Sequence, residues 1–165
     1  MTRPALTAAV LAALAAWAGA QGPAPTSAAD RLRLHRTNRT LLTDLVGHGV
    51  RLAGADQPVA RAEACQQTAR AVGLAVRRAA EANDADRVAE LGDHLDTLIR
   101  EGLVPVLKDA TDTVPAASPD AARLRAVRTG TVADLDATEA ALPPGDDAQV
   151  RALRSRLNDL RDRLK

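Results

Sequence analysis

The sequence predicts an all-α fold, an up-and-down antiparallel bundle of four to five helices behind a cleaved signal peptide. Three observations lead there. Apolar residues recur at three, four and seven positions through most of the chain after residue 27, and no stretch alternates with the period of two that a half-buried strand requires. The pattern breaks at short clusters of Pro, Gly, Asn and Asp, the residues that start, stop and turn helices. The first twenty residues, MTRPALTAAVLAALAAWAGA, follow a different rule.

That opening stretch carries one cation, Arg3, then an apolar run from Ala5 to Trp17 and the triplet Ala18-Gly19-Ala20, the order of a secretory signal peptide with an A-x-A cleavage site. The run is short against the roughly 20 apolar residues of a spanning helix, and weakly hydrophobic alanine dominates it. The expectation is cleavage near Ala20 and export to a periplasmic or extracellular space. No second apolar run follows, so no membrane span is expected in the mature chain. Residues 21–26, QGPAPT, read as a flexible spacer, and residues 27–165 as one helical-bundle domain with one core.

Ser27 with Asp30 resembles a capping box and opens a first helix over about 28–53, with apolar positions at Leu34, Leu41, Leu42, Leu45, Gly49 and Leu52. Gly54 is placed to end it, and Asp56-Gln57-Pro58 supplies the cap and first turn of a second helix over about 57–82. There Ala62, Cys65, Ala69, Val72, Val76 and Ala79 form one stripe, so the chain's single cysteine points inward. Asn83-Asp84 interrupts the pattern before a third helix over about 85–112, whose stripe reads Val88, Leu91, Leu95, Leu98, Gly102 and Val106. Pro105 lies inside it, lacks a donor and clashes with the preceding turn, which predicts a kink near 105. If the second and third helices pair antiparallel about Asn83-Asp84, Gly73 and Gly92 come to the same height, where a close crossing would want them.

TDTVPAASPD is a linker, and Ser118-Pro119-Asp120 opens a fourth helix over about 119–142, with a weaker stripe of Leu124, Val127, Thr131, Leu135 and Leu142. After LPPGDD, Val150, Leu153, Leu157, Leu160 and Leu164 form a coiled-coil heptad seam in a fifth helix over about 147–164.

Composition narrows function. The chain has 22 basic and 21 acidic residues, and loss of the leader removes only Arg3, leaving 21 of each. Such a balance argues against a general attraction for nucleic acid or an anionic membrane. Trp17 is the one aromatic residue, so the mature chain has no ring to stack on a base or a sugar. The serines are Ser27, Ser118 and Ser155, two of them better explained as helix caps, and no Gly-rich phosphate loop follows a strand. The chain is therefore expected not to be an enzyme and to have no catalytic residue.

Two sets of candidate residues remain. Pairing of the first two helices brings His48, flanked by Gly47 and Gly49, to roughly the level of Cys65, and the third helix has Glu101 near that level. An imidazole, a thiolate and a carboxylate converging there could bind zinc or copper, or Cys65 could respond to redox state. Against this, a lone cysteine commonly packs as a small hydrophobe, and no compact metal motif such as C-x-x-C or H-E-x-x-H is present. The second set lies on the fifth helix, where Arg151, Arg154, Leu157 and Arg161 offer a seam with basic flanks to a partner helix. The same seam could instead close the bundle onto the fourth helix. His94 falls in a solvent row, and Arg31, Arg33, Arg36 and Arg39 around His35 form a local basic patch suited to an anionic partner or to a solvated helix end.

The stretch LVGHGVRLAGADQPVARAEACQQTARAV, followed by RVAELGDHLDTLIREGLVPVL, resembles a group of uncharacterised exported helical-bundle proteins of high-GC bacteria. The resemblance spans roughly the first three helices. It implies a helical fold and export, and it carries over no functional residue. The expected function is that of a non-enzymatic exported interaction or regulatory protein, acting on a protein partner or by self-association, with the metal-binding or thiol-responsive bundle as the alternative.

Overall fold

A computed structural model describes residues 27–144 and 147–164, so the signal peptide and spacer expected over residues 1–26 lie outside the described residues. The chain divides into two units, Met1–Asn38 and Arg39–Lys165. Of the first, the described part is Ser27 and the opening turns of helix α1, Ala28–Ala53. The second holds the rest of α1 and a helical bundle of α2 (Pro58–Glu81), α3 (Ala85–Thr97), a π-helical segment (Leu98–Leu103), α4 (Val104–Thr113), α5 (Pro119–Ala141) and α6 (Ala148–Leu164). The fold is all-α, with no strand among the described residues.

Local chemistry sets the boundaries. Asn83 adopts φ 54°, the left-handed conformation that asparagine tolerates better than most residues. Its N–H donates to Ala80 at 3.0 Å and that of Asp84 to Ala79 at 3.0 Å, a Schellman closure of α2. The Asp84 carboxylate then accepts from the Arg87 N–H at 3.1 Å and caps α3, so one dipeptide ends a helix and begins the next. Ser118 Oγ accepts from Ala121 N–H ahead of Pro119, and Asp147 accepts from the N–H groups of Gln149 and Val150. Gln57, by contrast, precedes α2 without any side-chain cap, and Pro58 opens that helix.

Around the bundle the neighbours run α2, α5, α6, α3 and back to α2. Helices α2, α3, α5 and α6 alternate in direction, with α3 running on through the π-helical segment into α4, yet the side-by-side pairs α2/α5 and α3/α6 are parallel. Glu63 meets Arg123 and Arg70 meets Asp134, while Asp93 meets Arg156 and Arg100 meets Asp159, both numbers rising together each time. Gly73 and Gly92 therefore do not face each other. A Cβ on Gly73 would lie 3.1 Å from Thr138 Oγ1 of α5, and one on Gly92 would lie 2.7 Å from Leu153 Cδ1 of α6. Each glycine admits a parallel neighbour closely, rather than serving the antiparallel crossing that the hairpin arithmetic predicts.

The predicted inner stripes of α2, α5 and α6 are buried throughout. The third stripe is not. After Leu95 the buried residues of this run are Ile99, Leu103, Leu107 and Ala110, the first three one position beyond the expected Leu98, Gly102 and Val106, which are only half-buried. The cause is the π-helical segment. In an α-helix, at 100° per residue, a spacing of four drifts by about 40° per step. Leu91, Leu95, Ile99, Leu103 and Leu107, all four apart, would thus wind well away from the core. The wider i→i+5 turn inserts in effect one residue and restores the phase. It ends just before Pro105, which has no N–H to give and sits at the start of α4. The disturbance expected near 105 is thus a π-helical stretch upstream of the proline.

Candidate functional site

The two predicted residue sets fare differently from their sequence reading. Cys65 is 2% exposed and packs in the core with Ala62 and Ala69. Burial pushes its thiol pKa up, which favours the protonated, unreactive form. His48 is half-buried, and its Nδ1 lies 2.5 Å from Arg51 Nη2. Because a guanidinium only donates, that ring nitrogen is the acceptor and has no lone pair left for a metal. Glu101 is exposed on the π-helical segment. Among the described residues no group of three or more His, Cys, Asp or Glu is placed to hold a metal ion, so these three do not assemble into the zinc or copper ligand set.

On α6, Leu157 is 1% exposed and its seam mates Val150, Leu153, Leu160 and Leu164 are buried beside it. Arg154 donates to the carbonyls of Leu142 and Pro143, the latter at 2.8 Å. Arg161 binds Asp136 at 2.7 Å and also pairs with Glu139. Of the four predicted partner residues only Arg151 is exposed and unengaged among the described residues. The seam closes the bundle, and it does so against both α3 and α5. His94 is exposed, as are Arg36 and Arg39, while the side chains of Arg31, Arg33 and His35 lie outside the described residues.

The open apolar surface is on α1. From Arg39 onward this helix carries two apolar faces. Leu41, Leu45 and Leu52 are half-buried against the core. On the other side Leu42, Val46 and Val50 are 61%, 66% and 69% exposed. At 100° per residue these three fall within about 80° of arc, and with Gly49 and Ala53, which are also exposed, the row spans about 100°. A Cβ built on Gly49 would meet nothing within 4 Å, so no contact with a described residue accounts for this glycine. Single exposed aliphatics are ordinary, whereas these three stand in a contiguous row along one helix face.

Sequence reading missed this row by merging Leu42 and Gly49 with the inner stripe and omitting Val46 and Val50. The signal was present in the adjacent pairs Leu41-Leu42 and Leu45-Val46, since neighbours in a helix point about 100° apart and cannot share one narrow stripe. Among the described residues no helix is long and apolar enough to cross a membrane. No family model, no curated protein and no solved structure matches the chain.

Proposed function

We propose that this is a non-enzymatic, exported helical interaction protein that associates through the outer face of α1, and that the first occupant of that face is a second copy of the chain. The observation that carries the reading is the exposed row Leu42, Val46 and Val50. Two such faces are self-complementary when laid antiparallel about Val46, because Leu42 of one helix then stands level with Val50 of the other. Gly49 and Ala53 are small enough on the same face for the helix axes to approach closely. A two-fold pairing of identical patches is the commonest way soluble chains associate. Export rests on the first twenty residues, with their single cation, apolar run and A-x-A triplet.

Sedimentation velocity of the mature chain tests the association. A concentration-dependent dimer is expected, and Val46→Asp should abolish it while leaving the helical circular dichroism unchanged, since Val46 touches little of its own bundle. A chain that stays monomeric at every concentration would reject self-association, and one whose dimer survives Val46→Asp would reject this face.

A further inference from the structure

We infer that the cleft where α4, α5 and α6 meet binds a small soluble phosphomonoester that carries a hydroxyl, with Lys108 and Arg128 holding the phosphoryl group. The inference is independent of the association through α1 and lies in another part of the bundle. The cleft has a volume of about 280 Å³ and is walled by Val104 and Leu107, with Lys108, Arg128, Arg163 and Asp112 among its polar lining. An adjoining hollow of about 160 Å³ shares Arg128 and adds Arg125.

The cleft thus has three cations and one carboxylate in its lining, and the adjoining hollow adds a fourth cation, in a chain whose charges nearly cancel overall. Several guanidiniums elsewhere reach across to a carboxylate of a neighbouring helix, as in Arg123 with Glu63, Arg156 with Asp93 and Arg161 with Asp136. Arg163 uses its Nε on Asp159 at 2.9 Å. Lys108 and Arg128 have no hydrogen bond or ion pair with any described residue. A helix dipole accounts for Arg163, which lies in the last turn of α6, but not for Arg128, which stands in the interior of α5.

Two uncommitted cations on neighbouring helices match the double negative charge of a phosphomonoester. Arginine adds a planar fork of donors suited to its oxygens. Asp112, also without a partner among the described residues, sets the second half of the specificity. A carboxylate repels a bare dianion, yet it accepts a hydrogen bond from a hydroxyl. A ligand such as glycerol 3-phosphate satisfies both sides of the cleft, and inorganic phosphate satisfies one.

Isothermal titration calorimetry of the mature chain at low ionic strength, with glycerol 3-phosphate and inorganic phosphate as probes, tests this. The expected result is saturable one-site binding of glycerol 3-phosphate with a Kd below about 1 mM, and weaker binding of inorganic phosphate. Arg128→Gln and the exposed Lys108→Gln should each weaken the binding about tenfold, Arg151→Gln on the distant part of α6 should leave it unchanged, and Asp112→Asn should narrow the gap between the two probes. Lys108→Gln keeps the test decisive even if Arg128→Gln perturbs the fold. Absence of saturable heat with either probe overturns the inference, as does undiminished affinity in Lys108→Gln. Capture by vesicles containing phosphatidic acid without any response to glycerol 3-phosphate would likewise overturn it.

Discussion

Helices α1 and α6 are both amphipathic, and they meet opposite fates. In α6 a single seam from Val150 to Leu164 is flanked by Arg, Asp, Asn and Ser, and every seam residue is buried. In the part of α1 from Arg39 onward, apolar residues occupy two faces, and none of them reaches full burial. One bundle can cover only one side of a helix at its edge. A helix with one apolar face is completed by its own fold, whereas a helix with two leaves the second exposed. The comparison explains why the seam that looks most like a partner surface in the sequence is an internal one, and why the less regular helix carries the open face.

The largest test of this contrast removes one leucine from each helix. Leu157→Ala should destabilise the protein by about 3 kcal/mol, the lost transfer energy plus the cavity left in a closely packed site. Leu42→Ala should change stability by less than about 0.5 kcal/mol. Chemical denaturation of the monomer measures both, and similar losses for the two would erase the distinction between a completed seam and an open face.

Glycines sharpen it with opposite signs. At Gly92 a Cβ would press on the buried Leu153 side chain, so Gly92→Ala should cost about 1 kcal/mol after the gain in helix propensity is counted. At Gly49 a Cβ meets nothing, so Gly49→Ala should strengthen the helix by up to about 1 kcal/mol. Hydrogen exchange of the α1 amides reads the second effect directly, because the helix can open without the bundle. Faster exchange there in Gly49→Ala would contradict the open environment of that residue.

A smaller contrast separates the arginines of α6. Arg161→Gln removes the pairing with Asp136 and Glu139 that joins α6 to α5, and should lower stability by about 1 kcal/mol. Arg151→Gln should have no measurable effect, and thermal unfolding of the two variants side by side distinguishes them.

An effect that vanishes at neutral pH concerns Cys65. Its folded pKa is raised by burial, so above the ordinary thiol range the unfolded chain loses this proton while the folded chain keeps it. Stability should then fall as pH rises through alkaline values towards the folded pKa, with a limiting slope of about 1.4 kcal/mol per pH unit. Below that range Cys65 contributes no pH dependence. Comparison of wild type with Cys65→Ala in denaturant melts at increasing alkaline pH isolates the contribution. An identical pH profile for the two would mean that the thiol is not shielded in the native state.

Sequence by itself determined the helical class, the inner stripes of α2, α5 and α6, and most of the boundaries. Each of these follows from interactions within a few residues: Asn83 entering the left-handed region, Asp84, Ser118 and Asp147 accepting from the next turn, prolines at helix starts, and a fixed angle per residue. The tertiary structure decided the rest. Insertion of a π-helical turn after Leu95 moved the core positions by one residue, because Ile99, Leu103 and Leu107 could reach the common core only with that change of phase. It gave Gly73 and Gly92 to parallel neighbours, left one face of α1 open, and brought Lys108, Arg128 and Arg163 to one cleft from three helices. A local pattern records which face of a helix is apolar. Which neighbour covers that face, and which charges meet across a gap, depends on chain segments dozens of residues away that no local spacing encodes.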